Sequence, residues 1–223
     1  MEATILRYLR DKYHPLAIII YGSFADGSSG PGSDFDALLI AAGEKRHDDS
    51  SFKGVPLDVF LYPPEQFQKD WDPADYIQIC GGRIVEDRGG LAEGLMERVN
   101  AYVAQLPRKS LAELREELNW CRKMLARTLR DDDEGFYRWH WLLTDSLEIF
   151  CDLVREPWLG PKKALKLMAA SYGVALRVYR RALREMTPEA LRNWIDYLDD
   201  LAKLEAAREL PEKTEESGNL TAF

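Results

Sequence analysis

The chain has 223 residues, of which 46% are hydrophobic and 30% are charged, so it can bury a core and is not globally disordered. Its formal net charge of -8 disfavours a general nucleic-acid-binding protein, which would need a basic surface. The longest apolar stretch, residues 16–21, is too short to span a membrane, and the N-terminus lacks the apolar core of a signal peptide. We therefore expect a cytoplasmic protein with reduced thiols at three widely spaced cysteines, Cys80, Cys121 and Cys151.

Charge is distributed unevenly along the chain. Residues 1–106 carry 10 basic and 17 acidic side chains, whereas residues 107–223 carry 20 and 21. This split predicts two domains, a head over residues 1–106 and a second domain over residues 107–210, followed by a disordered polar tail over residues 211–223.

The first half predicts one helix and several short strands. The opening helix covers residues 3–13, and β-rich apolar runs predict strands at residues 16–24, 36–41, 55–62 and 82–87. Residues 43–54 are polar and predict a hairpin loop at the surface.

The second half shows long helical periodicity with few breakers. Ser110 and Glu113 predict a capping box at the start of the first helix. The predicted helices cover residues 110–130, 134–154, 161–186 and 187–210. The fold class that follows is α+β, a small mixed-sheet head followed by a helical bundle.

One acidic constellation in the head predicts chemistry. A buried strand runs into Gly22-Ser23, and Asp34 and Asp36 then open the next strand with their side chains on the same face. Asp58 lies within the following strand and joins the other two if the strands pair. Three carboxylates repel one another unless a cation neutralises them, and oxygen ligands suit Mg²⁺ together with substrate phosphates. A glycine lets the backbone approach a phosphate, and a serine can donate to it, so the constellation predicts a metal and polyphosphate site.

Other phosphate and metal motifs are absent from the sequence. There is no GxxxxGK[ST] phosphate loop, no GxGxxG dinucleotide fingerprint and no HExxH metal site. Taken alone, the Gly-Ser loop is compatible with an ordinary turn, and an isolated Asp-x-Asp with a solvated strand end. The spacing that joins them favours the functional interpretation.

This pattern resembles the nucleotidyltransferase superfamily of the polymerase-beta type. The resemblance covers residues 15–62 and, more loosely, the plan of a head followed by a helical bundle, as in aminoglycoside, lincosamide and minimal nucleotidyltransferases. It implies that Asp34, Asp36 and Asp58 bind Mg²⁺, with two ions expected, and that Asp58 completes the site or acts as a base.

The resemblance also implies that Gly22 and Ser23 hold the triphosphate, which we expect to be ATP. Further nucleotide-binding candidates are Ser33 of the same loop and Lys162, which lies at the start of a helix in the second half, where anions are favoured, or else belongs to a solvated basic face. One departure is Asp26, because many bacterial members have an arginine at this place, which leaves the triphosphate short of a cation.

The helical half carries two further charged patterns. Asp145 and Glu148 lie three residues apart on one helix face and are candidate residues for binding a cationic acceptor, as in aminoglycoside-type members, or else for pairing with an arginine of a neighbouring helix. Four arginines form a stripe that we expect to pair with aspartates of the last helix rather than to bind phosphates: Arg177, Arg180, Arg181 and Arg184 with Asp196, Asp199 and Asp200.

The function implied is a Mg²⁺-dependent transfer of a nucleoside monophosphate, AMP in the expected case, from a triphosphate to a hydroxyl group of a small acceptor such as a cationic aminoglycoside. A nucleic-acid acceptor fits the acidic chain poorly, and a protein acceptor stays open. The alternative is a catalytically inactive or antitoxin-like module that keeps the fold and binds a protein partner. Neither a membrane nor a particular oligomeric state is indicated.

Overall fold

The computed structural model describes residues 1–130 and 132–209. The tail predicted over residues 211–223 lies outside the described residues. The backbone forms two compact units, with the boundary between Leu106 and Pro107. Within the described ranges, no helix is both long enough and apolar enough to cross a membrane.

The first unit is built around a mixed sheet. Its elements in chain order are α1 (Glu2–Tyr13), β1 (Ala17–Ile20), α2 (Gly22–Ala25), β2 (Phe35–Ile40), β3 (Arg46–Asp48), β4 (Ser51–Phe52), β5 (Val55–Tyr62), two 3₁₀ segments (Pro64–Phe67 and Pro73–Ile79), β6 (Arg83–Asp87) and α3 (Leu91–Ala104). The strand order is β3-β5-β2-β1-β6, with β4 paired to β5. Strands β2 and β5 run parallel, and the other pairs are antiparallel.

Helices cover the sheet on both faces, which explains why the central strand β1 is apolar throughout. Ile18 and Ile20 of β1 pack with α1 on one face, whereas Ala17 and Ile19 pack with α3 on the other. A strand that is buried on both faces reads as a continuous hydrophobic run rather than an alternating one. The helix α3 was not predicted, although Leu95 and Val99 give it an apolar face.

Two predictions for the head are wrong in detail. The strand predicted over residues 16–24 ends at Ile20, because Gly22 has a positive φ of 64° and residues 22–25 form a helical turn. The surface loop predicted over residues 43–54 contains β3 and β4, which pair with β5. Lys53 and Gly54 both have positive φ in the two-residue turn between β4 and β5, the geometry that suits a twisted hairpin.

The second unit is helical. It contains α4 (Leu111–Thr128), α5 (Asp133–Leu153), α6 (Pro161–Ser171), α7 (Gly173–Glu185) and α8 (Pro188–Glu209). The predicted capping box is present, since Ser110 and Glu113 each bond to the backbone N–H of the other. Trp194 lies at the centre of the core, where its indole N–H donates to the hydroxyl of Ser146 at 2.8 Å. The predicted α+β class is confirmed.

The helix predicted over residues 161–186 is interrupted. Tyr172 leaves the helical region, with φ -130° and ψ 53°, and α7 begins at Gly173. The ring of Tyr172 packs edge-on against Phe150, with centroids 5.4 Å apart. Gly173 has a low helix propensity and permits a break in the helix, and at this break Tyr172 packs against α5.

Candidate functional site

The Gly-Ser turn lies directly against Asp36. The backbone N–H of Tyr21 donates to the carbonyl of Asp36 at 3.1 Å, which holds the end of β1 beside β2. A Cβ added to Gly22 would overlap with Oδ2 of Asp36. Glycine is therefore favoured at residue 22 for two reasons, its positive φ and the close approach of a carboxylate.

Asp36 and Asp58 are neighbours across the parallel pair β2–β5. They are register partners, and their flanking residues Phe35 and Leu57 are partners too. In-register residues of adjacent strands project to the same face, so the pairing brings the two carboxylates together as predicted. Asp34 immediately precedes β2 and is exposed.

A histidine that was not predicted contacts this pair. The Nε2 of His47 lies 2.6 Å from Oδ1 of Asp58, and because a carboxylate only accepts, the imidazole N–H donates. His47 is on β3 opposite Phe60 of β5, and the two rings are stacked with centroids 4.3 Å apart. His47 was not considered as a site residue because residues 43–54 were predicted to be a loop. Their sequence shows no alternation of apolar and polar residues that would have indicated a strand.

Tyr21 is a second residue that was not predicted. Its side chain is buried, and burial raises the pKa of its hydroxyl well above the usual value, with the negative charges of Asp58 and Asp36 adding to the effect. The phenol therefore stays protonated beside the carboxylate pair.

The loop between α2 and β2 is held by its own hydrogen bonds. The N–H of Gly30 donates to the hydroxyl oxygen of Ser33 at 3.0 Å, and the N–H of Ser33 donates back to the carbonyl of Gly30. Asp26 accepts from the N–H of Ser28 at 3.1 Å, so the residue found in place of the common arginine closes a tight turn. Ser23 is half-buried and accepts through its carbonyl from the N–H of Ser29.

A preformed three-ligand metal site is not present in the described ranges. Among residues 1–130 and 132–209, no three His, Cys, Asp or Glu side chains are placed so that they could hold a metal ion. The in-register pair of Asp36 and Asp58 is the part of the predicted ligand set that the strand pairing brings together.

In the second unit, Asp145 and Glu148 line a cavity of about 330 Å³. The cavity is bounded by Lys109, Glu117, Trp120, Trp141, Asp145, Glu148 and Ile149. The two tryptophans meet edge to face, with ring centroids 5.1 Å apart. Three carboxylates and one ammonium group among these residues give the lining a formal charge of -2.

Burial raises the pKa of both predicted acids. For Asp145, burial outweighs a hydrogen bond with Trp141 that lowers the pKa. For Glu148, burial acts together with nearby acidic side chains, and Lys109 only partly offsets them. The ammonium of Lys109 is already bound to Glu117 and, at 2.8 Å, to Asp152. The lining is therefore short of positive charge.

The pairing predicted for the arginine stripe is wrong for Asp199, Asp200 and Arg181, and it stays a prediction for Arg177, Arg180, Arg184 and Asp196. Asp199 binds Arg122 of α4, with 2.8 Å between Nε and Oδ2, and Asp200 binds Lys203 at 2.7 Å. Arg181 pairs with Glu185 on its own helix and, at 3.7 Å, with Glu189 of α8, which is not one of the predicted aspartates. The reason is that Asp199, which is nearly buried, contacts α4 rather than α7.

Lys162 lies in the first turn of α6 and is exposed. Its predicted contact with a nucleotide stays a prediction.

The comparisons with known proteins concern the head above all. Residues 2–84 match the family model of the nucleotidyltransferase domain. A solved structure that is similar is the "nucleotidyltransferase-like protein from Exiguobacterium sibiricum 255-15", which is 11% identical, with 93% of this chain and 76% of that chain covered and a TM-score of 0.35. No protein with a curated description matches the sequence. The matched range contains Gly22, Asp36 and Asp58, so the part of the chain that carries the carboxylate pair is similar to a nucleotidyltransferase domain.

Proposed function

We propose that the chain transfers AMP from ATP, with Mg²⁺, to a hydroxyl group of a small cationic acceptor. The observation that carries the proposal is the in-register pair of Asp36 and Asp58 beside the Gly22-Ser23 turn. Two carboxylates next to a turn with no side chain at residue 22 are suited to a metal-bound triphosphate.

The pair of Asp36 and Asp58 suits a magnesium ion that takes one or two protein carboxylates and fills its other positions with phosphate and water oxygens. Asp36 and Asp58, with Asp34 at the start of the same strand, would supply carboxylate oxygens, and phosphate and water oxygens would complete the coordination that Mg²⁺ requires. When bound, Mg²⁺ would neutralise the charge that develops on the phosphates. The absence of a side chain at Gly22 lets the backbone of the turn and the Asp36 carboxylate lie close together, and in this proposal the Ser23 hydroxyl donates to a phosphate.

In the proposed reaction, the acceptor oxygen bonds to the α-phosphorus while the bond from that phosphorus to the β-bridging oxygen breaks. Pyrophosphate leaves, and the hydroxyl proton passes to a carboxylate, for which Asp58 is the candidate. The remaining work of the protein is positioning and charge compensation.

The cavity of the second unit supports a cationic acceptor. Its lining combines an edge-to-face tryptophan pair with an excess of carboxylates. Aromatic faces and carboxylates both attract ammonium groups, and the partial desolvation of Asp145 and Glu148 strengthens such an attraction. An aminoglycoside carries several ammonium groups beside hydroxyls and has the required chemistry.

The test is a transfer assay with α-labelled nucleoside triphosphates. Candidate acceptors would be aminoglycosides, neutral sugars of similar size, and an unrelated protein. We expect Mg²⁺-dependent labelling of an aminoglycoside by the wild-type chain and none by Asp36→Asn. Labelling of the neutral sugars alone would overturn the cationic acceptor, and labelling of the protein alone would overturn the small acceptor.

A further inference from the structure

We propose that His47 is a positioning residue for Asp58, which it holds in the orientation that the nucleotide-bound cation requires. The inference rests on the proposed function, because it assigns His47 a role toward the same site. His47 belongs to no predicted site, and the family match by itself gives it no role.

The strand that carries His47 is firmly anchored. The next residue, Asp48, is buried and accepts hydrogen bonds from Lys12 at 2.9 Å, from the hydroxyl of Tyr13 and from the N–H of Ser50 at 3.1 Å. Lys12 and Tyr13 belong to α1, so the helix fixes β3 from one side. Side chains alternate along a strand, and His47 therefore projects from the opposite face to Asp48.

The imidazole ring is also restrained. It stacks on Phe60 with an interplanar angle of 12° and centroids 4.3 Å apart. Because β3 and β5 are antiparallel neighbours, His47 and Phe60 face each other directly, and Asp58 is two residues from Phe60 on the same face. Although 43% of the His47 side chain is exposed, its backbone and ring are both held in place.

The consequence concerns the electrostatics of the carboxylate pair. Asp36 and Asp58 are register partners and repel each other when no cation is bound. The N–H of His47 donates to Oδ1 of Asp58, which offsets part of that repulsion and leaves Oδ2 available. A neutral imidazole with its proton on Nε2 and an imidazolium can both donate at this atom, so the role needs no change of protonation.

Three variants distinguish the effect of the hydrogen bond from the effect of the aromatic ring. His47→Phe keeps the stacking on Phe60 and removes the donor. His47→Gln removes the ring and keeps an N–H donor at similar reach. His140→Phe, at an exposed histidine of α5, is the matched control for a histidine-to-phenylalanine change.

The readouts are calorimetric binding of a non-hydrolysable ATP analogue as a function of Mg²⁺ concentration, together with kcat and KM in the transfer assay. Because His47→Phe removes a hydrogen bond to a partly exposed carboxylate, we expect it to raise the Mg²⁺ concentration for half-maximal binding by about threefold or more. His47→Gln should recover most of that loss, and His140→Phe should match the wild type. In an Asp58→Ala background, His47→Phe should have no further effect.

Two outcomes would overturn the positioning role while the proposed function stands. One is wild-type Mg²⁺ dependence in His47→Phe when Asp36→Asn has lost it. The other is an equal loss in His47→Phe and His47→Gln, which would assign the effect to the ring rather than to the donor. Wild-type Mg²⁺ dependence in Asp36→Asn itself would overturn the proposed function and the positioning role together.

Discussion

The replacement Gly22→Ala tests the close approach between the Gly-Ser turn and Asp36. Gly22 has a φ of 64°, and an added Cβ would overlap with Oδ2 of Asp36 and lie 3.0 Å from its Cγ. The chain offers a matched control in Gly27, which has a φ of 75° and nothing within 4 Å of the added Cβ. Gly27→Ala therefore carries the backbone strain without the overlap.

We expect Gly22→Ala and Gly27→Ala to lower the free energy of unfolding by similar amounts. We expect Gly22→Ala to weaken nucleotide binding more than Gly27→Ala does. A left-handed conformation costs a non-glycine residue roughly 1–2 kcal/mol, which lowers the melting temperature of a domain of this size by about 4–8 °C per kcal/mol. In Gly22→Ala, the Asp36 carboxylate has to rotate away, a movement that is cheap for the fold because only the end of a side chain moves. The same movement removes a ligand from the proposed metal site.

The assays are thermal unfolding and Mg²⁺-dependent binding of a non-hydrolysable ATP analogue. We expect the melting temperatures of the two variants to lie within a few degrees of each other, because both carry the same kind of backbone strain. Binding should fall about tenfold or more in Gly22→Ala and change less than about twofold in Gly27→Ala. Equal binding by the two variants would refute the reasoning, because it would mean that the contact between the turn and Asp36 has no part in the site.

Three further predictions address other parts of the molecule. Ser23→Ala should weaken nucleotide binding by about 1 kcal/mol or more and leave acceptor affinity unchanged, as titrations of each ligand would show, whereas equal losses would mean that the turn shapes the whole site. The double variant Asp145→Asn with Glu148→Gln should raise the apparent acceptor constant and flatten its salt dependence, while nucleotide binding stays the same; a loss of thermal stability with unchanged acceptor kinetics would assign the two acids to packing. Burial raises the pKa of Asp48, but its hydrogen bonds lower it by more, so the folded value lies well below the ordinary one of about 3.9. Asp48 therefore contributes its full stabilisation above about pH 5, and this contribution is lost as the pH falls through 3.9 and below. We expect Asp48→Asn to have a lower melting temperature than the wild type at pH 7, and the difference between the two melting temperatures to be smaller at pH 3.

The carboxylate pair could be predicted from the sequence because its signals are local. Gly22 follows an apolar run, Asp36 opens the next one, and Asp58 interrupts a third, and each signal depends on a few neighbouring residues. The parallel register that sets Asp36 opposite Asp58 depends on the whole sheet. From the sequence we could predict only that the carboxylates come together if their strands pair.

The residues that escaped prediction depend on contacts between distant segments. His47 lies on a short edge strand whose polar sequence resembles a loop, and it is held there by the bonds of Asp48 to α1. From the sequence alone, Tyr21 is an ordinary aromatic residue of the core. Its position beside two carboxylates follows from the strand pairing.

The helical half shows the same limit. The capping box at Ser110 was predicted because it needs four consecutive residues only. The break at Tyr172 depends on packing against Phe150, and the partner of Asp199 depends on which helix lies beside α8, so neither follows from helical periodicity.

The central claim is that Asp36 and Asp58, beside the Gly22-Ser23 turn, hold a divalent cation with the triphosphate of a nucleotide. The most direct measurement is anomalous diffraction from crystals grown with Mn²⁺ in place of Mg²⁺ and a non-hydrolysable ATP analogue. We predict an anomalous peak at coordinating distance, about 2.0–2.3 Å, from a carboxylate oxygen of each aspartate, with the phosphates against the turn. A nucleotide bound elsewhere in the chain, or bound at the turn with no metal peak between the two aspartates, would contradict the claim.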